Sequence, residues 1–131
     1  MIKEAYCSYE ISKLLKEKGF DEPCRSYFIS DSDEYRKCTV DITSKNCISG
    51  QILRPTHQMV CAWLREKGIE IDAYLSHITD EFGKKTKHYV FSIVDLNTDK
   101  DYPEYSEDYH YYPTYEEAVE AALKYSLENL I

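Results

Sequence analysis

Apolar residues recur along this chain with two periods, and the switch between them is clearest in residues 54–76, RPTHQMVCAWLREKGIEIDAYLS. Met59, Val60, Trp63 and Leu64 fall on one side of a helix, with Gln58, Arg65 and Glu66 mostly opposite. Thr56 follows a proline unsuited to a helix interior and is the expected N-cap. Gly68 is the expected stop, and Lys67 before it suits the negative end of the helix dipole. Ile69, Ile71, Ala73 and Leu75 then alternate with Glu70, Asp72, Tyr74 and Ser76, which predicts a strand with one buried face. Trp63, the only tryptophan, centres the expected core with Val60 and Leu64.

The same reasoning extends to the rest of the chain. Ser8 caps a predicted helix over residues 9–18, with Ile11, Leu14 and Leu15 inside, Gly19 as its stop and Phe20 folding back. Its end, LLKEKGF, parallels WLREKGI at residues 63–69; two ordinary amphipathic helices with similar stop signals account for this without an internal duplication. Residues 25–29 and 35–43 read as a hairpin, with Cys38, Val40 and Ile42 on one face of the second strand. Residues 88–96 are rich in aromatic and β-branched residues and predict a strand that pairs with the one starting at Ile69. Residues 97–112, which contain Pro103, read as a long loop with at most an edge strand. Thr114 and Glu117 form a capping box for a last helix whose inner face is Ala118, Val119, Ala122, Leu123, Ser126, Leu127 and Leu130. Glu120 and Lys124 are expected outside as an i,i+4 pair. The order α-ββ-α-ββ-α predicts one α+β domain over residues 1–131: an antiparallel sheet of about four strands, with three helices mainly on one face.

Charge narrows the function. A net charge of −8 argues against binding a phosphate backbone, so no direct nucleic-acid contact is expected. No apolar run is long enough for a bilayer and the first residues lack a hydrophobic signal region, so a cytoplasmic protein without membrane contact is expected. Cys7, Cys24, Cys38, Cys47 and Cys61 are an odd set without a CxxC, expected to be reduced.

Candidate chemistry is sparse. The cysteines together with His57, His77, His88 and His110 carry the residue types of a thiol–imidazole pair, but no local signature surrounds them, and Cys61 is expected to pack in its helix. Zinc-ligand types are scattered; His88 and His110 could meet in space, but surface histidines are the better explanation. Asp95, Asn97, Asp99 and Asp101 alternate like the start of a calcium loop, but Lys100 stands where glycine is needed and Ser106 where a bidentate glutamate would close the site. No glycine-rich phosphate loop is present. No catalytic residue, metal or cofactor is therefore assigned. Residues 95–115 stand out instead, with tyrosines set among carboxylates. The candidate partner-binding residues are Tyr102, Tyr105, Glu107, Asp108, Tyr109, Tyr111 and Tyr112.

Residues 11–20 (ISKLLKEKGF), 54–65 (RPTHQMVCAWLR) and 115–123 (YEEAVEAAL) resemble a group of small uncharacterised proteins of phages, prophages and mobile elements of gut anaerobic bacteria. The proline-threonine helix start with Trp-Leu-Arg near its end is the most specific part. The resemblance implies a bacterial or phage setting and an accessory role, and transfers no functional residue.

The expectation from these readings is a non-enzymatic interaction protein that binds a protein partner through its acidic, tyrosine-rich surface. An anti-defence or regulatory role is one version, with carboxylates standing in for phosphates. The alternative is a small-molecule-binding protein or degenerate enzyme with a pocket between sheet and helices. A homodimer through an exposed strand edge is a third reading.

Overall fold

Each helix begins where the sequence supplies an acceptor. In the computed structural model, which describes residues 2–29, 31–104 and 110–131, Ser8 Oγ accepts from the Ile11 amide at the start of α1 (Tyr9–Glu17). Thr56 Oγ1 accepts from Met59 at the start of α2 (His57–Glu66). Thr114 Oγ1 accepts from Glu117 at the start of α3 (Tyr115–Asn129), one half of the expected reciprocal pair. Each such cap contributes about 1 kcal/mol. Gly19 and Gly68, just past the ends of α1 and α2, take φ of 86° and 84°, the left-handed turn that a side chain resists.

The strands number more than the pattern predicts, and they form two sheets. β1 (Cys24–Phe28), β2 (Tyr35–Ile42) and β3 (Ile52–Leu53) make an antiparallel sheet of order β2-β1-β3. β4 (Ile69–Thr79), β5 (Lys85–Asp95) and β6 (Lys100–Tyr102) make a second, of order β4-β5-β6. The expected single sheet of about four strands is thus corrected to two sheets of three. The two hairpins do not pair with each other, and each gains a third strand too short to show a period: Ile52–Leu53 is a bare dipeptide and Lys100–Tyr102 is three residues before a proline.

Two predicted faces also fail locally. Cys24 pairs with Ile42 but Ser26 with Lys37, so β2 bulges between them and turns Val40 outward, 63% exposed. Leu75, on the buried side of β4 by alternation, is 43% exposed, because the β4–β5 hairpin runs past the cover of the helices. On the other side of β5, Tyr102 lies opposite Ile93 and, among the described residues, the next bridge is Tyr112 to Tyr89.

One core draws on all three helices and both sheets. Ile11 and Leu15 of α1, Val60, Trp63 and Leu64 of α2, and Val119, Leu123 and Leu127 of α3 meet Cys24, Leu53, Ile69 and Ile93. Trp63 is buried and Phe20 folds back onto it edge-to-face at 5.4 Å, as the sequence predicts. Ile69, Ile71, Ala73, Phe91 and Ile93 form the side of the second sheet that joins this core. Val90, on the opposite side, is buried too, so that side is not simply solvated.

Candidate functional site

The tyrosines picked out by sequence have different jobs. Tyr102, on β6, lays its ring against Tyr125 of α3 at 5.4 Å and is half-buried. Tyr112 exchanges two 2.8 Å backbone hydrogen bonds with Tyr89 and sits 6.1 Å from the Phe91 ring. Burial pushes its phenol pKa up. Both fix the sheet edge. Tyr111 remains at the surface, edge-on to His88 at 5.8 Å. Tyr115, at the start of α3, is exposed and edge-on to Tyr89 at 6.1 Å. Leu75 lies opposite Tyr89 in the register. Leu75, Tyr89 and Tyr115 therefore form an apolar strip beside the acidic first turn of α3, Glu116 and Glu117. Tyr105, Glu107, Asp108 and Tyr109 lie outside the described residues.

The calcium-like stretch is a hairpin turn. Asp95 is buried opposite Lys100, and its Oδ1 accepts from the Asn97 amide at 2.9 Å. Asn97 Nδ2 donates to the Lys67 carbonyl at 2.8 Å, tying this turn to the end of α2. Two of the expected oxygen ligands are thereby engaged in local structure.

The zinc-ligand types, read as scattered, converge in one place. Cys7 Sγ, a ring nitrogen of His57 and a carboxylate oxygen of Glu120 lie within 4.8 Å of one another. It is the one such group among the described residues. Its frame is stiff. The Cys7 amide donates to the Pro55 carbonyl at 2.9 Å, and the His57 amide to the Ala5 carbonyl at 3.0 Å. Tyr6 and Thr56 pair between them. Glu120, expected outside with Lys124, turns inward: its Oε2 lies 2.6 Å from His57 Nε2, and its Oε1 accepts from the Ser8 amide at 2.9 Å. Lys124 bridges Glu10 at 3.0 Å instead.

Cys7 is 1% exposed and His57 9%. Burial, then the Glu120 charge, drives the Cys7 thiol pKa far upward. Burial alone would raise the Glu120 carboxyl, but hydrogen bonds from His57 and Ser8 outweigh it and hold its pKa below the usual value. His57 Nδ1 is buried without a hydrogen-bond partner, a state that costs about 1–3 kcal/mol. Sequence reasoning missed this group because its members come from three separate segments: the residue before the α1 cap, the first residue of α2 and the second turn of α3. The available signal was position alone: Cys7 precedes the Ser8 cap and His57 follows the Thr56 cap.

Two clefts flank these elements. One, of about 260 Å³, lies along Tyr6, Cys24, Arg54, Thr56 and Met59. At its rim the Arg54 guanidinium stacks between Tyr6 at 4.0 Å and Tyr35 at 3.7 Å and donates to Ser26 Oγ at 3.2 Å. The other, of about 210 Å³, lies between α1 and the segment leading to β3. Ser12 and Cys47 line it, and Ser12 Oγ is buried without a partner. Neither contains a histidine.

Comparison with protein families, with curated proteins and with solved structures finds no match. No helix, among the described residues, is long and apolar enough to cross a membrane.

Proposed function

We propose that this protein is a non-enzymatic accessory interaction protein, of phage or mobile-element type, that binds a basic segment of a protein partner. The reading rests on one observation: the Leu75–Tyr89–Tyr115 strip, with Tyr111 and His88 around the β5 edge, lies on a hairpin that outruns its helices. Phe82 at the hairpin tip is 87% exposed. Aromatic and apolar residues at such a site supply contact area. Glu116 and Glu117, with the chain's net charge of −8, supply the field that steers a basic partner and repels nucleic acid.

The test is capture from bacterial lysate by wild-type protein and by a Tyr111→Ser/Tyr115→Ser variant. The reading expects specific partners that are lost with the variant and weakened by salt, while its thermal midpoint stays within a few degrees. Partners retained by a folded variant would defeat it. A dimer in light scattering would instead identify a second copy, pairing along β4 or β2, the longer edge strand of each sheet.

The small-molecule alternative rests on the cleft at Ser12. At about 210 Å³ it falls below the roughly 300–1,000 Å³ typical of ligand pockets, as does the cleft at Arg54 at about 260 Å³, so the protein-binding reading is preferred.

A further inference from the structure

Cys7, His57 and Glu120 take no part in the proposed docking surface. Three observations converge on them. A thiol, an imidazole and a carboxylate place ligand atoms within 4.8 Å of one another. Each comes from a different part of the chain and is fixed by backbone or side-chain hydrogen bonds: Cys7 to Pro55, His57 to Ala5, Glu120 to Ser8. His57 Nδ1 is buried with no partner, an unusual condition for a polar atom in a folded interior.

We propose that Cys7, His57 and Glu120 form a binding site for a single divalent transition-metal ion, with zinc the best match. The ligand chemistry favours zinc. Thiolate and imidazole select borderline-soft ions over magnesium or calcium, which prefer all-oxygen shells. In a tetrahedral zinc site, ligands at about 2.0–2.3 Å from the ion stand roughly 3.3–3.8 Å from one another. The existing spread is 4.8 Å or less, so the farthest pair must draw in by about 1–1.5 Å when the ion binds. The 2.6 Å contact between His57 Nε2 and Glu120 Oε2 then opens by under an ångström to admit the ion. The remaining position falls on the Glu120 side, the more open one, at 27% side-chain exposure against 11% for His57, where water can complete the shell.

The high thiol pKa of Cys7 does not oppose this. It belongs to the metal-free site, where burial and the Glu120 charge disfavour a thiolate. A dication reverses both influences and displaces the thiol proton to solvent. Bound there, the ion ties the segment before α1 to the starts of α2 and α3, so it acts as a cross-link between all three helices.

The experiment uses the full chain, stripped of metal, titrated with zinc chloride and in parallel with cobalt chloride under reducing conditions. The expected result is one ion per chain by native mass spectrometry, a rise in thermal midpoint with zinc, and a thiolate-to-cobalt charge-transfer band in the near ultraviolet. Cys7→Ser and His57→Ala should each weaken zinc binding by about 100-fold or more, whereas Cys38→Ser leaves it unchanged. The cobalt spectrum of the wild-type chain needs no variant, so a variant that fails to fold does not leave the question open. Absence of the band, or zinc binding that survives Cys7→Ser, overturns the proposal.

Discussion

His57 and Glu120, 63 positions apart, meet at 2.6 Å across the starts of α2 and α3. Because the Glu120 pKa is lowered in the folded chain, the unfolded chain binds its proton more readily. The resulting stability is fully present above the ordinary value of 4.5 and is lost as pH falls through the lowered folded value. Urea unfolding of metal-free wild type and Glu120→Gln should therefore differ most near neutral pH and converge in acid. A gap that widens on acidification would contradict this. At neutral pH His57→Ala should cost about 1–3 kcal/mol, because it strips Glu120 Oε2 of its 2.6 Å hydrogen bond while Oε1 keeps the Ser8 amide.

Trp63→Ala should cost about 3–5 kcal/mol, as it empties the space between Phe20 and the Val60–Leu64 face. That is a large share of the roughly 5–15 kcal/mol available to such a chain. The measurement is the shift in urea midpoint at unchanged slope.

Gly68→Ala and Gly19→Ala should separate two costs. Both positions have positive φ, worth about 1–2 kcal/mol for a side chain. A methyl at Gly19 meets nothing within 4 Å, but at Gly68 it comes within 2.9 Å of Asn97 Nδ2, which holds the Lys67 carbonyl. Gly68→Ala should be the more destabilising, and Asn97→Ala should narrow the difference between the two.

Arg54→Lys should destabilise by about 1–2 kcal/mol although it keeps the charge. An ammonium cannot lie flat between Tyr6 and Tyr35 and also reach Ser26. Thermal unfolding of Arg54→Lys beside Arg54→Ala checks this: the two should fall close together.

Thiol labelling should be graded. Cys7 and Cys24 are both 1% exposed, and burial pushes Cys24 to about 12 and Cys7 higher still. Both should resist alkylation of the native chain at neutral pH, while half-buried Cys38, Cys47 and Cys61 react first. Mass mapping after brief exposure to iodoacetamide gives the order.

What was legible in the sequence tracks how local the deciding force is. The three helices, their caps and glycine stops, and the Trp63 cluster were readable because neighbours within one turn or one period set them. Val40 and Leu75 misled because a bulge and the reach of a hairpin, both tertiary matters, override alternation. Glu120 misled most. Helical spacing offered it Lys124, while the fold offered a buried histidine and a free helix-start amide, which are stronger partners for a carboxylate. The candidate metal site hinged on that reversal. Four of the seven proposed docking residues fall in residues 105–109, so only Tyr102, Tyr111 and Tyr112 could be placed, and Tyr111 alone stands clear at the surface.

Between the Ile93–Tyr102 and Tyr89–Tyr112 pairings, β5 spends three residues (90–92) and the returning chain nine (103–111). Both ends of that insert are anchored to the same strand, so its length is uncoupled from the alignment of the sheet. Doubling such an excursion costs only about 0.6 kcal/mol in closure entropy. Residues can therefore be added to this segment without shifting the pairing on either side of it.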